Sequence, residues 1–579
     1  MRRTKIVATI GPACETVVGL MGLMQAGMDV ARLNLSHGSV DIHRDRIRRI
    51  REASSRLGRE VGIMLDTRGP EVRIGDVPVP FRLEPGDRLN LVRNSPEPQP
   101  AVTAVTVTWP GLFEWIKPQT ELLIDDGNLV ARCLTANPDR IELEMVVGGV
   151  LKSRKKINCP GTLWPLNPLD AADQEAIRMG IEEDVDFLAA SFVHSADDVI
   201  AVRRFVEENG GSLLLIAKIE DRSAVDRLED ILTVADGVMV ARGDLGVEMP
   251  AEDVPWLQKE IIQRSNQRGL PVITATQMLE SMVTASRPTR AETSDVANAI
   301  WDGSDAVMLS AETATGEYPE EAVRVMARVA ENADHRPRYL HRIEWNTTRI
   351  ADAVSRASAE IGENLGARAI LSITESGYTA QMVSRSRPMV PIVALSPHQK
   401  VVRRLALVWG VTTLLMARPA HPDSLVGEAI ETARQAGLVG NEDVVVVTAG
   451  FPPGTPGTTN LLRIETVRGP VVTGQGLGNG MVAFGKVVCW TEGEPVDVPV
   501  GPYVLVLPYL DPAAVPTLEG AQAVVTEQAG LTSDVAVAAL TLGIPAVVGA
   551  LEACRKLTPG EVVTVDPIRG VVYRGRVSV

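Results

Sequence analysis

The chain is poor in the residues that mark several protein classes. Cysteine occurs five times in 579 residues, at positions 14, 133, 159, 489 and 554, an odd number without CxxC spacing. That argues against a disulfide framework and against a zinc ribbon, and leaves idle thiols in a reducing compartment. Aromatic residues make up only 4%. No apolar run approaches the roughly 18 residues that a membrane helix requires, and the start Met1-Arg2-Arg3-Thr4 leads into a charged strand pattern where a signal peptide would be apolar. A cytoplasmic protein with no membrane partner is expected. Positive charge is also in deficit, with 58 Lys and Arg against 73 Asp and Glu, a net −15. A broad nucleic-acid footprint needs the opposite balance, so no nucleic-acid partner is expected, and an anionic substrate must be held by a few local cations.

What is present suits a multidomain enzyme: 45% hydrophobic and 23% charged residues in a chain too long for one core. Eight short apolar runs, at 5–10, 30–35, 61–65, 187–192, 213–219, 237–241, 271–276 and 306–309, alternate with amphipathic segments. This is the pattern of parallel strands and crossover helices, and eight repeats predict an α/β fold built on a TIM (β/α)8 barrel. Asn167 before Pro168 predicts a helix N-cap, and Thr289-Arg290-Ala291-Glu292 a capping box. The run Arg44, Arg46, Arg48 and Arg49 reads as the solvated face of a helix.

Domain bounds follow from texture. The barrel spans 1–69 and 167–340, and the period-two patches of 70–166 predict an inserted β lid domain. An α/β domain is expected over 341–470, with strands at 369–373, 391–394, 411–416 and 443–447, and a small β/α appendage over 471–579 with a helix at 533–542. The run Gly474-Gln475-Gly476-Leu477-Gly478 lacks dinucleotide-binding spacing.

Reactive side chains collect at the predicted strand ends. Arg32 to Gly38 follows the second run, Asp66 to Arg73 the third, Lys218-Ile219-Glu220 the fifth, Arg242-Gly243-Asp244 the sixth and Thr276-Gln277 the seventh. Taken alone, Lys-x-Glu at a strand end reads as a surface ion pair and Arg-Gly-Asp as a turn. Their recurrence on several strands of one barrel points to a shared rim. Glu220 and Asp244 offer hard oxygen ligands to Mg²⁺, and Lys218 and Arg32 could neutralise a phosphoryl group in flight.

Together these segments, with Gly27-Met28-Asp29-Val30-Ala31 and Pro288-Thr289-Arg290-Ala291-Glu292, resemble the pyruvate kinase family over roughly the first 470 residues. The resemblance implies transfer of a phosphoryl group from phosphoenolpyruvate to ADP, giving pyruvate and ATP, in a homotetramer. It implies that Arg32 and Lys218 grip the phosphoryl group and that Glu220 and Asp244 bind Mg²⁺ or Mn²⁺. It also implies that Gly243, Asp244 and Thr276 hold the substrate carboxylate, with Thr276 in the proton relay. Nucleotide contacts would come from Asn34, Leu35, Ser36, His37, Arg73 and Lys155, and K⁺ would be held by Asn34, Ser36, Asp66 and Thr67. Glu71 matches the potassium-dependent subgroup, whereas Ile74 replaces its usual threonine and His194 a usual arginine.

Thr374, Ser376, Gly377 and Thr379 resemble the family's effector phosphate loop, with 450–460 as its companion. Glu375 between them would repel a second phosphate and so favour AMP or ribose 5-phosphate over fructose 1,6-bisphosphate. The last domain resembles the swivelling phosphohistidine domain of phosphoenolpyruvate-using dikinases, but carries Asp534 where those place histidine. The alternative readings are a dikinase or metal-dependent lyase of related barrel type, or a non-catalytic sugar-phosphate sensor.

Overall fold

The computed structural model describes residues 2–93, 104–162, 164–336, 349–419, 424–450, 458–478, 481–491, 496 and 498–576. The chain forms two compact units. One comprises Met1–Asp352, Ala380–Met389 and His398–Thr413; the other comprises Ala353–Thr379, Val390–Pro397 and Leu414–Val579.

The first unit is built on eight parallel strands: β1 (Lys5–Thr9), β2 (Val30–Asn34), β3 (Gly62–Asp66), β4 (Phe187–Ala190), β5 (Leu214–Ile219), β6 (Gly237–Ala241), β7 (Val272–Ala275) and β8 (Ala306–Leu309). They close into a barrel in which each strand pairs with its neighbours in sequence and β8 returns to β1. All eight apolar runs are barrel strands. Both strand faces are covered, so the hydrophobic pattern is continuous, and alternation sorts it into layers. Val7, Val30, Met64, Phe187, Ile216, Met239, Ile273 and Met308 fill the barrel interior, joined by Leu407. Ile6, Ala31, Leu33, Ile63, Leu65 and Leu215 face the helices outside.

Helix ends show where sequence signals compete. Thr289 and Glu292 form the expected capping box on helix Arg290–Trp301. The cap expected at Asn167 lies three residues later, because Asp170 accepts from the Asp173 N–H and starts helix Ala171–Glu182. Asn167 instead accepts from Leu169 N–H in a local turn. Nor is the arginine run merely solvated. Arg46 is largely buried and holds Glu15 at 2.7 Å, while Arg44 and Arg48 reach Glu183. Their partners are distant in sequence, so only the fold brings them together.

Between β3 and β4 the chain builds a separate β layer. Its six-stranded sheet runs Ile157–Asn158, Glu121–Ile124, Leu129–Ala136, Arg140–Val147, Arg88–Val92, Ala104–Thr106, and Phe81–Leu83 pairs with Gly149–Leu151. Ile74, Leu89, Leu91, Leu122, Leu143 and Ile157 form its own core.

In the second unit, strands Ile392–Ser396, Ala369–Ile373, Val444–Gly450 and Thr459–Thr466 lie side by side in that order, the last antiparallel. An eight-stranded mixed sheet follows, from Pro470–Thr473 at one edge to Gln475–Leu477 at the other. Within that edge strand a Cβ on Gly476 would lie 1.8 Å from the Pro567 carbonyl, which explains the glycine as a close backbone approach. Helix Asp534–Leu542 is capped by Ser533 and ends on Gly543 in left-handed geometry. No helix among the described residues is long and apolar enough to cross a membrane.

At the N-terminal end of the barrel, fully buried Asp186 accepts from Ile63 N–H and pairs with Arg403 at 2.8 Å and Arg51 at 3.1 Å. Removing Asp186 strips buried Arg403 of its one buried carboxylate and leaves it only the more exposed Asp184, at up to about 3–5 kcal/mol. Asp186→Ala should therefore lower the thermal midpoint far more than Thr289→Ala, which costs about 1 kcal/mol. Differential scanning calorimetry of both variants checks the order.

Candidate active site

Strand parity places the reactive side chains. Val30, Met64 and Ile216 point into the barrel, so Arg32, Asp66 and Lys218, each two residues further on, point the same way and form the next layer towards the C-terminal rim. Asn34 lies directly opposite Asp66 in the ladder.

Asp66 is the hub of that layer. Its Oδ2 accepts from Arg32 Nε at 2.6 Å and its Oδ1 lies 3.1 Å from Lys218 Nζ. Arg32 also donates to Thr9 Oγ1 at 2.8 Å. Lys218 donates to Ser191 Oγ at 2.6 Å, and Ser191 in turn donates to the Thr67 carbonyl at 2.7 Å. Burial opposes the charge on Asp66, yet Arg32 and Lys218 outweigh it and hold the carboxyl below its ordinary range. Burial likewise opposes the Lys218 charge, but Asp66, Glu220 and Asp244 raise its pKa above the usual lysine value. The ammonium therefore stays charged.

Glu220 is differently placed. Its Oε2 accepts from the Phe192 N–H at 2.7 Å. Its Oε1 is buried, 2.8 Å from Lys218 Nζ but without an aligned hydrogen bond. Burial, helped by repulsion from Asp244, pushes the carboxyl up to about 7 despite Lys218. Asp244, beyond the end of β6, is held below the ordinary range by Lys156 and Lys218, which together overcome burial. Lys156 Nζ lies 2.8 Å from Asp244 Oδ1. Three cations (Arg32, Lys218, Lys156) thus face three carboxylates (Asp66, Glu220, Asp244). Two neighbouring carboxylates, one of them buried and with an oxygen that no aligned hydrogen bond occupies, offer the hard oxygen ligands of a divalent-cation site, and these two residues fit Mg²⁺.

At the end of β7, Thr276 has φ of +66°, a backbone state costly for a β-branched residue. Arg242 holds it there by donating to the Thr276 carbonyl at 2.7 Å while pairing with Asp295 at 2.8 Å. The strained turn aims Thr276 Oγ1 at Gly243, whose N–H it accepts at 2.8 Å.

A cleft beside these groups is lined by Asn34, Ser36, His37, Arg73 and Lys155, with Glu71 and Asp125. Arg73 donates to Glu71 through Nε at 2.8 Å, and Lys155 pairs with Asp125 at 2.5 Å. Leu35 does not join them; its side chain is buried in the barrel's outer layer. Asn34 accepts from Ser36 N–H at 3.1 Å, and Thr67 Oγ1 from Ser191 N–H at 3.0 Å. Ile74 is fully buried in the lid core.

Three residues of this site escaped sequence reasoning. Ser191 and Arg242 were visible only as unremarkable members of strand-end segments. Lys156 was overshadowed by its neighbour Lys155, and only the bridge pairing Arg73 with Lys156 decides which lysine turns towards Asp244.

In the second unit Thr374 Oγ1 accepts from Gly377 N–H at 2.9 Å, Ser376 Oγ from Tyr378 N–H at 3.5 Å, and the Thr379 and Thr459 hydroxyls are 2.7 Å apart. Residues 451–457 of the companion loop lie outside the described residues. Glu375 is not an isolated charge, since Arg418 lies 2.7 Å away. Asp534 is exposed at the start of its helix.

Family comparison agrees with this geometry. Residues 1–323 match the pyruvate kinase barrel domain, 352–465 the pyruvate kinase alpha/beta domain, and 500–570 the mobile domain of PEP-utilising enzymes. The chain is 44% identical over 591 residues to a pyruvate kinase of Geobacillus stearothermophilus, with both chains covered in full. The chain belongs to the pyruvate kinase family. Pyruvate kinases of Bacillus licheniformis, at 44% over 588 residues, and Staphylococcus aureus (strain MRSA252), at 40% over 586, are likewise covered end to end. As a pyruvate kinase family member the chain is a phosphotransferase of glycolysis, and the family is generally dependent on Mg²⁺ and K⁺.

His194 behind Glu220 supplies a pH test. Its Nδ1 lies 2.6 Å from Asp221 Oδ2. Burial lowers the imidazole pKa, but Asp221 and Asp198 raise it on balance. A base bound more tightly in the fold stabilises fully below its unfolded value of about 6.5 and loses that contribution as pH rises through the folded value. His194→Gln should thus lose more thermal stability relative to wild type at about pH 5.5 than at about pH 8.5; a difference independent of pH would refute the pairing.

Proposed function

We propose that the rim cluster carries out phosphoryl transfer from phosphoenolpyruvate to ADP. The observation that supports this most is the fixed pair of cations, Arg32 and Lys218, gripping one buried carboxylate. Neither can swing away, so both stay aimed at the space above Asp66 where charge develops on a transferred phosphoryl group. The P–O bond to the enol oxygen breaks as a new P–O bond forms to the terminal phosphate oxygen of ADP. The enolate then takes a proton to become pyruvate.

Glu220 and Asp244 would hold Mg²⁺ or Mn²⁺, which when bound neutralises phosphoryl and carboxylate oxygens. Gly243, Asp244 and Thr276 are assigned to the substrate carboxylate, with Thr276 Oγ1 exchanging its Gly243 partner and standing in the proton relay. The cleft of Asn34, Ser36, His37, Arg73 and Lys155 is assigned to the nucleotide, Leu35 contributing only backbone. Asn34, Ser36, Asp66 and Thr67 are assigned to K⁺; the facing of Asn34 and Asp66 across β2 and β3 supports this, and Glu71 adds the negative charge of the potassium-dependent subgroup. Domain bounds of 1–69 with 167–340, 70–166, 341–470 and 471–579 organise these roles, in a cytoplasmic homotetramer. Lys218→Met should reduce kcat by about 10²–10³-fold in a lactate-dehydrogenase-coupled assay with phosphoenolpyruvate, ADP, Mg²⁺ and K⁺. Undiminished activity would remove Lys218 from the mechanism.

The loop of Thr374, Ser376, Gly377 and Thr379 is assigned to an effector phosphate, its hydroxyls and N–H groups being short-range partners that an anion could replace. Arg418 offsets Glu375, but the carboxylate still stands where a second phosphate would approach, which favours AMP or ribose 5-phosphate. Initial-rate titrations should show activation by these monophosphates; activation by fructose 1,6-bisphosphate alone would overturn the assignment.

A further inference from the structure

Lys156 has no role in the assignments above, yet it is the lid's most direct link to the metal carboxylates. Its side chain is 10% exposed and its ammonium sits 2.8 Å from Asp244 Oδ1 and 4.4 Å from the centre of the Phe192 ring. Glu220 and Glu71 add to the attraction. The same segment is tied down two residues later, where Asn158 Nδ2 donates to Glu248 Oε1 at 2.6 Å. Through its bridge to Arg73 and its bond to Lys155, Lys156 is also coupled to the nucleotide cleft.

We propose that Lys156 is a lid latch that occupies the metal-binding carboxylate: its ammonium and a divalent cation compete for Asp244, so metal binding unlatches the lid strand. The proposal rests on the assignment of Glu220 and Asp244 to the metal. Lys156 neutralises part of the charge that Asp244 would offer a metal, and a divalent ion, with twice the charge and Glu220 as a second ligand, displaces the ammonium. Lys156 is a positioning residue in this scheme. It sets the metal affinity of the ligand-free protein and passes the event to Arg73 and Lys155.

Mn²⁺ binding to the full chain, followed by electron paramagnetic resonance without phosphoenolpyruvate, tests the competition. Lys156→Met and Lys156→Gln should bind Mn²⁺ about tenfold more tightly than wild type, and Lys156→Arg should stay near wild type. Lys155→Met removes an equal charge one residue away and should change the affinity far less, which separates direct competition from a general field effect. Hydrogen exchange over 152–160 should quicken in Lys156→Met and, in wild type, on adding Mn²⁺. Equal or weaker Mn²⁺ binding in Lys156→Met and Lys156→Gln, with exchange unchanged by metal, overturns the latch. Wild-type Mn²⁺ affinity untouched by Glu220→Gln would overturn the metal assignment and the latch with it, an outcome distinct from loss of the latch alone.

Discussion

A single buried carboxylate, Asp66, orders the catalytic end of the barrel. It closes β3 and takes Arg32 from β2 and Lys218 from β5, which brings two like charges onto one acceptor. Side by side in a low-dielectric layer those cations would repel, and each alone would cost several kcal/mol to bury. With Asp66 between them the two cations share one acceptor in a single arrangement. Parity along the strands then decides the rest: the residues that fill the barrel interior also dictate that Arg32, Asp66 and Lys218 face inward one layer higher.

Beyond that layer the site is left deliberately incomplete. Glu220 Oε1 is buried without an aligned donor, and the direct ion pair of Asp244 is with a lysine from the lid. Cations and carboxylates balance in number, so a divalent ion adds net positive charge where an anionic substrate is to be held. The strained Thr276, clamped by Arg242, belongs to the same economy: backbone strain at the end of β7 is tolerated because it fixes a hydroxyl against Gly243.

Much of this was legible from residues alone, for reasons that differ from element to element. The eight strands were readable because strands covered on both faces carry unbroken apolar runs. Arg32, Lys218, Glu220 and Asp244 stood out because ionisable groups at strand ends of a barrel have few structural uses. The sequence points to Asn167 as the helix start because two capping residues lie close together, and the folded chain uses Asp170. Arg46 reads as solvated in sequence because its partner, Glu15, lies on a segment that only folding brings near. Ser191 carries no pattern of its own, and Lys156 differs from Lys155 only by which way a lid strand turns. Charge at a strand end can be read from sequence; the partner that meets it across the fold cannot.

The central claim is that Asp66 holds Arg32 and Lys218 in working geometry, and Asp66→Asn tests it most directly. Asparagine keeps the shape and one acceptor but removes the charge. The kcat for phosphoryl transfer from phosphoenolpyruvate to ADP, measured on variant protein whose circular dichroism and melting remain cooperative, should fall by at least about a hundredfold. A kcat within a few-fold of wild type in that folded variant would contradict the account.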